Sequence, residues 1–258
     1  MLRRRAKMDE PQPLLAHLDE LRRRLFRLIG AWLACSLVAG IWHKEVFELL
    51  MGPAVGALRE KGYSLIVISP PELLITYIKS ALLAGFLVSL PVTLWQIWAF
   101  VAPGLYDTEK RFAIPFVGSS VLLFFGGCTF GYLLAFPFVF EYFLSLEADF
   151  IETSWTTREI FSFMSRLYLS FGVAFQLPVA IFFLALAGIV TPDKLASGRK
   201  YAVVIMFVGG AILTPPDVVS QVALAVPLVL LYESGIWVSR LVLSRRKTEA
   251  DEAAPSSS

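Results

Sequence analysis

The most constraining feature of this chain is a succession of nearly unbroken apolar runs, divided by short blocks that hold most of its charge. In a bilayer every backbone N–H and C=O must be paired within the protein, so such runs can form only α-helices or a closed β-barrel. A barrel strand alternates apolar and polar residues over about ten positions, whereas these runs are solidly apolar. Of 258 residues, 57% are apolar and 17% charged, against about 25% charged in a soluble domain. The expectation is an all-α polytopic membrane protein.

Six transmembrane helices are expected, at about 25–42, 77–101, 112–138, 167–190, 201–213 and 222–238, in one membrane domain over 1–240. Ahead of the first, Leu14, Leu15, Leu18, Leu21, Leu25 and Leu28 follow helical spacing and suggest an amphipathic surface helix that turns into the first span. The basic amino terminus precedes an apolar run too extended for a cleaved signal, so a retained helix is expected. A loop from residue 43 to about 75 carries Pro53, Gly56, Gly62, Pro70 and Pro71, and a long polar stretch covers 141–166. The last two spans are short. About 13 residues in the fifth make roughly 20 Å of helix and the sixth reaches roughly 25 Å, both less than a hydrocarbon core of roughly 30 Å. With this topology 17 of the 23 lysines and arginines fall on the side of the two termini, so both termini are expected in the cytoplasm. Residues 241–258 read as a disordered cytoplasmic tail.

Chemistry inside the membrane announces itself through ionisable residues within spans, and these are scarce: Lys79, Glu141 and Glu233. The two histidines, His17 and His43, form no metal-ligand pattern, and Cys35 and Cys128 lie in different spans; no metal or cofactor is expected. Nucleotide-binding and nucleophile-elbow motifs are absent, so the chain reads as a non-enzyme with no nucleic-acid partner. A secondary transporter or channel for a small solute is the alternative; Gln176, within AFQLPVAI, is its best intramembrane polar candidate, although taken alone such a residue is better accounted for by an interhelical hydrogen bond.

One boundary stands out. The stretch LPVTLWQIWAFVAPGLYDTEKR at 90–111 carries Trp95 and Trp98 toward the end of a span, turns at Ala102-Pro103-Gly104, and presents Glu109 just beyond. Glu20 occupies a similar setting ahead of the first span. Two carboxylates at a membrane surface suit guanidinium groups, each held through two parallel hydrogen bonds that lysine cannot reproduce. At 4 Å and an effective dielectric near 20, one such pair has a Coulomb term of about 4 kcal/mol before desolvation.

Four segments resemble the TatC subunit of the twin-arginine protein translocase: HLDELRRRL at 17–25, the stretch at 90–111, GVAFQLPVAI at 172–181 and LTPPDVVSQ at 213–221. The resemblance implies a six-helix, cup-shaped receptor in the bacterial cytoplasmic (inner) membrane that takes the arginine pair of signal peptides on folded cargo, driven by the proton motive force. By motif it assigns signal-peptide binding to Glu20 and Glu109, with Arg22 and Phe100 beside them. Thr214 and Gln221 match positions where a single-span TatA/TatB-type subunit docks, while Pro53 and Asp217 match further sensitive positions on the opposite face. Homo-oligomerisation within the complex and contact with membrane lipid are also implied. Gln176 departs from the family, in which many relatives carry glutamate; an amide keeps the polarity but carries neither charge nor proton.

Overall fold

The computed structural model describes residues 14–101, 113–146, 154–186, 188–213 and 218–253. Among these residues the regular structure is helical, apart from one isolated parallel bridge between Ile66 and Thr156. Helix α1 spans Leu14–Ile41, α2 His43–Glu60 and α3 Pro70–Val101. Helix α4, Ala113–Phe130, runs through a five-residue π-helical segment, Gly131–Ala135, into α5, Phe136–Ser145. Then follow α6 at Thr157–Ala174, α7 at Leu177–Leu186, α8 at Pro192–Ser197, α9 at Arg199–Leu213 and α10 at Val218–Ala253.

Local chemistry sets the boundaries. Prolines 70 and 71 open α3, where the missing N–H costs nothing because first-turn donors have no helical partner. Thr156 caps α6: its Oγ1 accepts from the Glu159 N–H at 3.4 Å, in the T-x-x-E spacing of a capping box. Gly188, with φ 70°, takes the left-handed turn after α7 that a side chain would resist. Between α6 and α7 the chain turns tightly at Phe175 and Gln176, the Gln176 N–H reaching the Val173 carbonyl at 3.0 Å. Pro178 immediately beyond prevents the α6 ladder from continuing unbroken.

Among the described residues, five helical stretches are long and apolar enough to cross a membrane: Leu18–Ile41, Pro70–Phe100, Pro115–Ser145, Thr157–Leu186 and Gln221–Leu241. Small residues let them approach closely, as expected where lipid offers no hydrophobic drive for association. A Cβ on Gly85 of α3 would lie 2.4 Å from the Ser36 backbone nitrogen of α1, and one on Gly127 of α4 would lie 2.3 Å from the Phe171 carbonyl oxygen of α6. The apolar core gathers Leu50, Met51, Ala54 and Leu58 of α2 against Phe136 and Phe140 of α5 and Phe161, Met164, Leu167 and Phe171 of α6. Leu37, Leu122 and Leu230 face outward, as residues in contact with lipid should.

Several expectations are corrected. The stretch expected as a loop from 43 to 75 contains the 18-residue helix α2; its polar residues and proline disguised a helix that buries one face against α5 and α6. The polar stretch at 141–166 is helical over Phe136–Ser145 and again from Thr157. A separate surface helix ahead of the first span does not form, because α1 is one continuous 28-residue helix. Its Leu18, Leu21 and Leu25 are exposed, the reverse of a water-soluble helix. Helix α10 continues past its apolar run to Ala253, so 241–253 is helical rather than a disordered tail. Its apolar stretch of 21 residues is also longer than expected and matches a bilayer at about 1.5 Å per residue. Helix α9, with 15 residues, is the short one.

Candidate functional site

Along α1 every fourth residue from Glu20, namely Glu20, Arg24, Leu28, Trp32, Ser36 and Gly40, is at least partly buried, while most positions between are exposed. This row is the stripe that meets α3: the Trp32 Nε1–H donates to the Leu82 carbonyl at 2.9 Å, and Ser36 abuts Gly85. Glu20 stands at the amino-terminal end of the stripe. Arg24, one turn on, donates to Glu20 Oε1 from Nε at 3.0 Å and from Nη2 at 2.5 Å, and its Nη1 reaches Gln96 Oε1 of α3 at 3.5 Å. The carboxylate is thus held against the last turns of α3, the end at which Phe100 lies half-buried. Such i,i+4 pairs are worth a few tenths of a kcal/mol as stability; here the pair fixes where a negative charge sits.

Arg22 is not brought to that face. Two residues from Glu20, it points about 200° away around the helix and lies over the Phe26 ring, 5.7 Å from its centroid. Glu109, Thr214 and Asp217 lie outside the described residues. Gln221 donates from Nε2 to the Phe207 carbonyl at 2.9 Å, tying α9 to α10. The same two helices are joined where Arg199 grips both oxygens of Glu233, Nη2 to Oε2 at 2.9 Å; this hydrogen bond raises the pKa of the Arg199 guanidinium. Gln176, at the α6–α7 turn, donates from Nε2 to the Ser120 carbonyl of α4 at 2.8 Å. A carboxylate in its place would have no hydrogen to give unless protonated.

Pro53 has a structural account. Proline in a helix leaves the carbonyl four residues earlier without its N–H partner, here Leu49 in α2. The Tyr132 hydroxyl, from the π-helical segment, donates to that oxygen at 3.0 Å. Next to it the buried Tyr168 donates to the Leu50 carbonyl at 2.8 Å, and the two rings pack 5.8 Å apart. Gly52 leaves room for this, since a Cβ there would lie 2.6 Å from the Tyr132 hydroxyl. Sequence reading missed both tyrosines. It also missed buried Glu72 at the start of α3, whose Oε2 accepts the Ile68 N–H at 3.0 Å and whose Oε1 accepts the Arg158 N–H at 3.1 Å in the first turn of α6. The i,i+4 spacing of Glu20 and Arg24 was the one available signal for the ion pair.

The sequence profile of the Sec-independent protein translocase protein TatC matches residues 16–227. The chain belongs to the TatC family. A TatC-family protein of Desulforapulum autotrophicum, named Sec-independent protein translocase protein TatC, is 39% identical over 96% of this chain and 92% of its own. Its counterpart in Aquifex aeolicus is 42% identical over 93% of this chain and 100% of its own. A crystal structure described as the twin arginine translocase receptor TatC superposes with a TM-score of 0.77 at 42% identity, covering 87% of this chain and 98% of that one. The family resemblance and the all-helical membrane architecture are therefore as the motifs implied. The family is one of protein translocases rather than known enzymes, and none of these TatC relatives supports the solute-transporter alternative. Among the described residues no group of three His, Cys, Asp or Glu could hold a metal ion.

Proposed function

We propose that this TatC-family chain is the receptor of a twin-arginine translocase. It takes the paired arginines of signal peptides on folded cargo through Glu20 and Glu109, at the cytoplasmic face of the bacterial inner membrane. The observation that carries this reading is the Glu20 carboxylate, anchored at the α1–α3 stripe and already engaging a guanidinium from Arg24. A carboxylate that accepts one guanidinium in a semi-buried setting suits the forked contact of an incoming arginine and discriminates against lysine. Phe100 offers apolar surface beside it for the segment that follows the arginine pair, and Arg22, assigned to the same site by motif, lies over Phe26 on another face of α1. Both termini lie in the cytoplasm.

The short helix α9 recruits a TatA/TatB-type single-span subunit. Val204, Ile205 and Val208 are exposed along it, and a 15-residue helix covers too little of the bilayer without a neighbour. By the family motif Thr214 and Gln221 are the polar positions of the docking site, and Pro53 and Asp217 are further positions on which the receptor depends. Gln176 keeps a polar group within the membrane without carrying a proton. Copies of the chain assemble with these partners and the proton motive force supplies the energy.

The test is binding of a labelled signal peptide to the purified protein in detergent, comparing an arginine pair with a lysine pair on the wild type and on Glu20→Gln, Glu109→Gln. Arginine-specific binding lost in the double variant is the expected result. Equal affinity of the wild type for both peptides, or undiminished binding by the variant, would refute the assignment.

A further inference from the structure

Lys79 of α3 and Arg166 of α6 line one cavity of ≈ 560 Å³ together with Trp32, Leu82, Phe86 and Leu169. The two helices that carry them are locked in register at their starts. Glu72 of α3 accepts the Arg158 N–H of α6, and the Ile66–Thr156 bridge joins the segments that lead into them. Lys79 follows Glu72 by seven residues and Arg166 follows Arg158 by eight. Both therefore sit about two turns, 10–12 Å, below the lock, at the end of the bundle away from Glu20. Helix α3 contributes a 31-residue membrane-length stretch, about 46 Å long, against a hydrocarbon core of about 30 Å. Divided between two ends, the excess brings Lys79 and Arg166 to just inside the hydrocarbon boundary, within reach of the phosphate level for long, flexible side chains.

Two cations at this depth are costly unless compensated, and no carboxylate lines the cavity. Glu72 is committed to its two backbone N–H groups. Glu159 precedes Arg166 by two turns, about 10.5 Å along the helix and too far for an ion pair. The other polar groups of the wall are spent locally: Ser162 donates to the Arg158 carbonyl at 2.8 Å, Ser165 to the Phe161 carbonyl at 2.7 Å, and Trp32 to the Leu82 carbonyl. Among the described residues, Lys79 and Arg166 are the cavity's unspent donors, set above a wall of aromatic and aliphatic side chains.

We propose that this cavity binds an anionic phospholipid of the leaflet opposite Glu20, its phosphate between Lys79 and Arg166 and its acyl chains along Trp32, Leu82, Phe86 and Leu169. Paired cations select a headgroup with net negative charge, because the ammonium of a zwitterionic headgroup would face the second cation. Basic pockets between transmembrane helices recognise acidic lipid headgroups by this chemistry.

The experiment is native mass spectrometry of the full-length protein in detergent, titrated with phosphatidylglycerol or with phosphatidylcholine of the same acyl chains. The wild type should retain phosphatidylglycerol at about tenfold lower lipid concentration. Lys79→Gln, Arg166→Gln should abolish that preference, and Lys79→Arg, Arg166→Lys, which keeps both charges, should preserve it and so separate binding from misfolding. Inorganic phosphate at the same concentration should leave the bound lipid in place. Equal retention of the two lipids, an unchanged preference in the glutamine variant, or displacement by phosphate would overturn the proposal.

Discussion

The pairing of Pro53 with Tyr132 makes a quantitative prediction. Tyr132 spends its hydroxyl on Leu49 O at 3.0 Å because Pro53 supplies no N–H to that carbonyl. Tyr132→Phe removes the donor while keeping the ring and its packing on Tyr168. With Pro53 present, the carbonyl is left without a protein donor, and the expected loss is about 1–3 kcal/mol. With Pro53→Ala, the new amide N–H lies at helical distance from Leu49 O and takes over the bond. Tyr132→Phe should then cost no more than about 0.5 kcal/mol, the low end for a hydrogen bond that has an alternative. The helix-propensity gain of Pro53→Ala itself, up to about 3 kcal/mol, appears in both arms and cancels. The cycle should therefore show a coupling of about 1–2 kcal/mol, within the range measured for residues in direct contact. The assay is reversible unfolding of the four proteins in one detergent. If Tyr132→Phe cost the same in both backgrounds to within about 0.5 kcal/mol, the tyrosine would not be replacing the proline's missing donor, and this account of Pro53 would fail.

Two further outcomes follow from the register lock and from the α1–α3 contact. Glu72→Ala should destabilise the protein by about 1–3 kcal/mol and speed amide exchange at Ile68 and Arg158, with Glu72→Gln intermediate because an amide nitrogen cannot accept the second N–H; unaltered exchange at both sites would count against the lock. Gly85→Val should cost about 1–3 kcal/mol or more by overpacking, since its Cβ would meet Ser36 backbone, whereas Gly30→Ala, with nothing within 4 Å of the added carbon, should leave unfolding unchanged or slightly harder.

The membrane class and most helices were legible because lipid imposes one strong rule: every backbone polar group must be paired within the segment, so hydropathy and helix coincide. Where the chain leaves lipid, the rule lapses. Helix α2 was missed because it has the mixed composition of a water-soluble helix, and only its burial against Phe136 and Phe161 gives it a reason to form. The end of α10 was missed for the converse reason: Arg240, Arg245 and Arg246 end the apolar run but not the helix, and Arg240 is met by Asp193 at 3.2 Å, a residue 47 positions away that no local pattern points to.

The candidate site divides in the same way. Glu20 was legible as a carboxylate at a boundary, but its orientation was not, because the leucines of α1 suggested a helix lying on the membrane surface with its polar residues turned to water. In the continuous helix α1 the polar residues turn to protein instead. The leucines face outward and the polar row Glu20–Arg24 faces α3, where Gln96 receives it. Gln176 and Lys79 follow the same logic from opposite ends of the polarity scale. A neutral amide beside a helix break finds a carbonyl within the protein and is satisfied. A cation two turns below the outer end finds another cation across a cavity. Its partner must then come from outside the chain, and at that depth the abundant anion is the headgroup of a lipid.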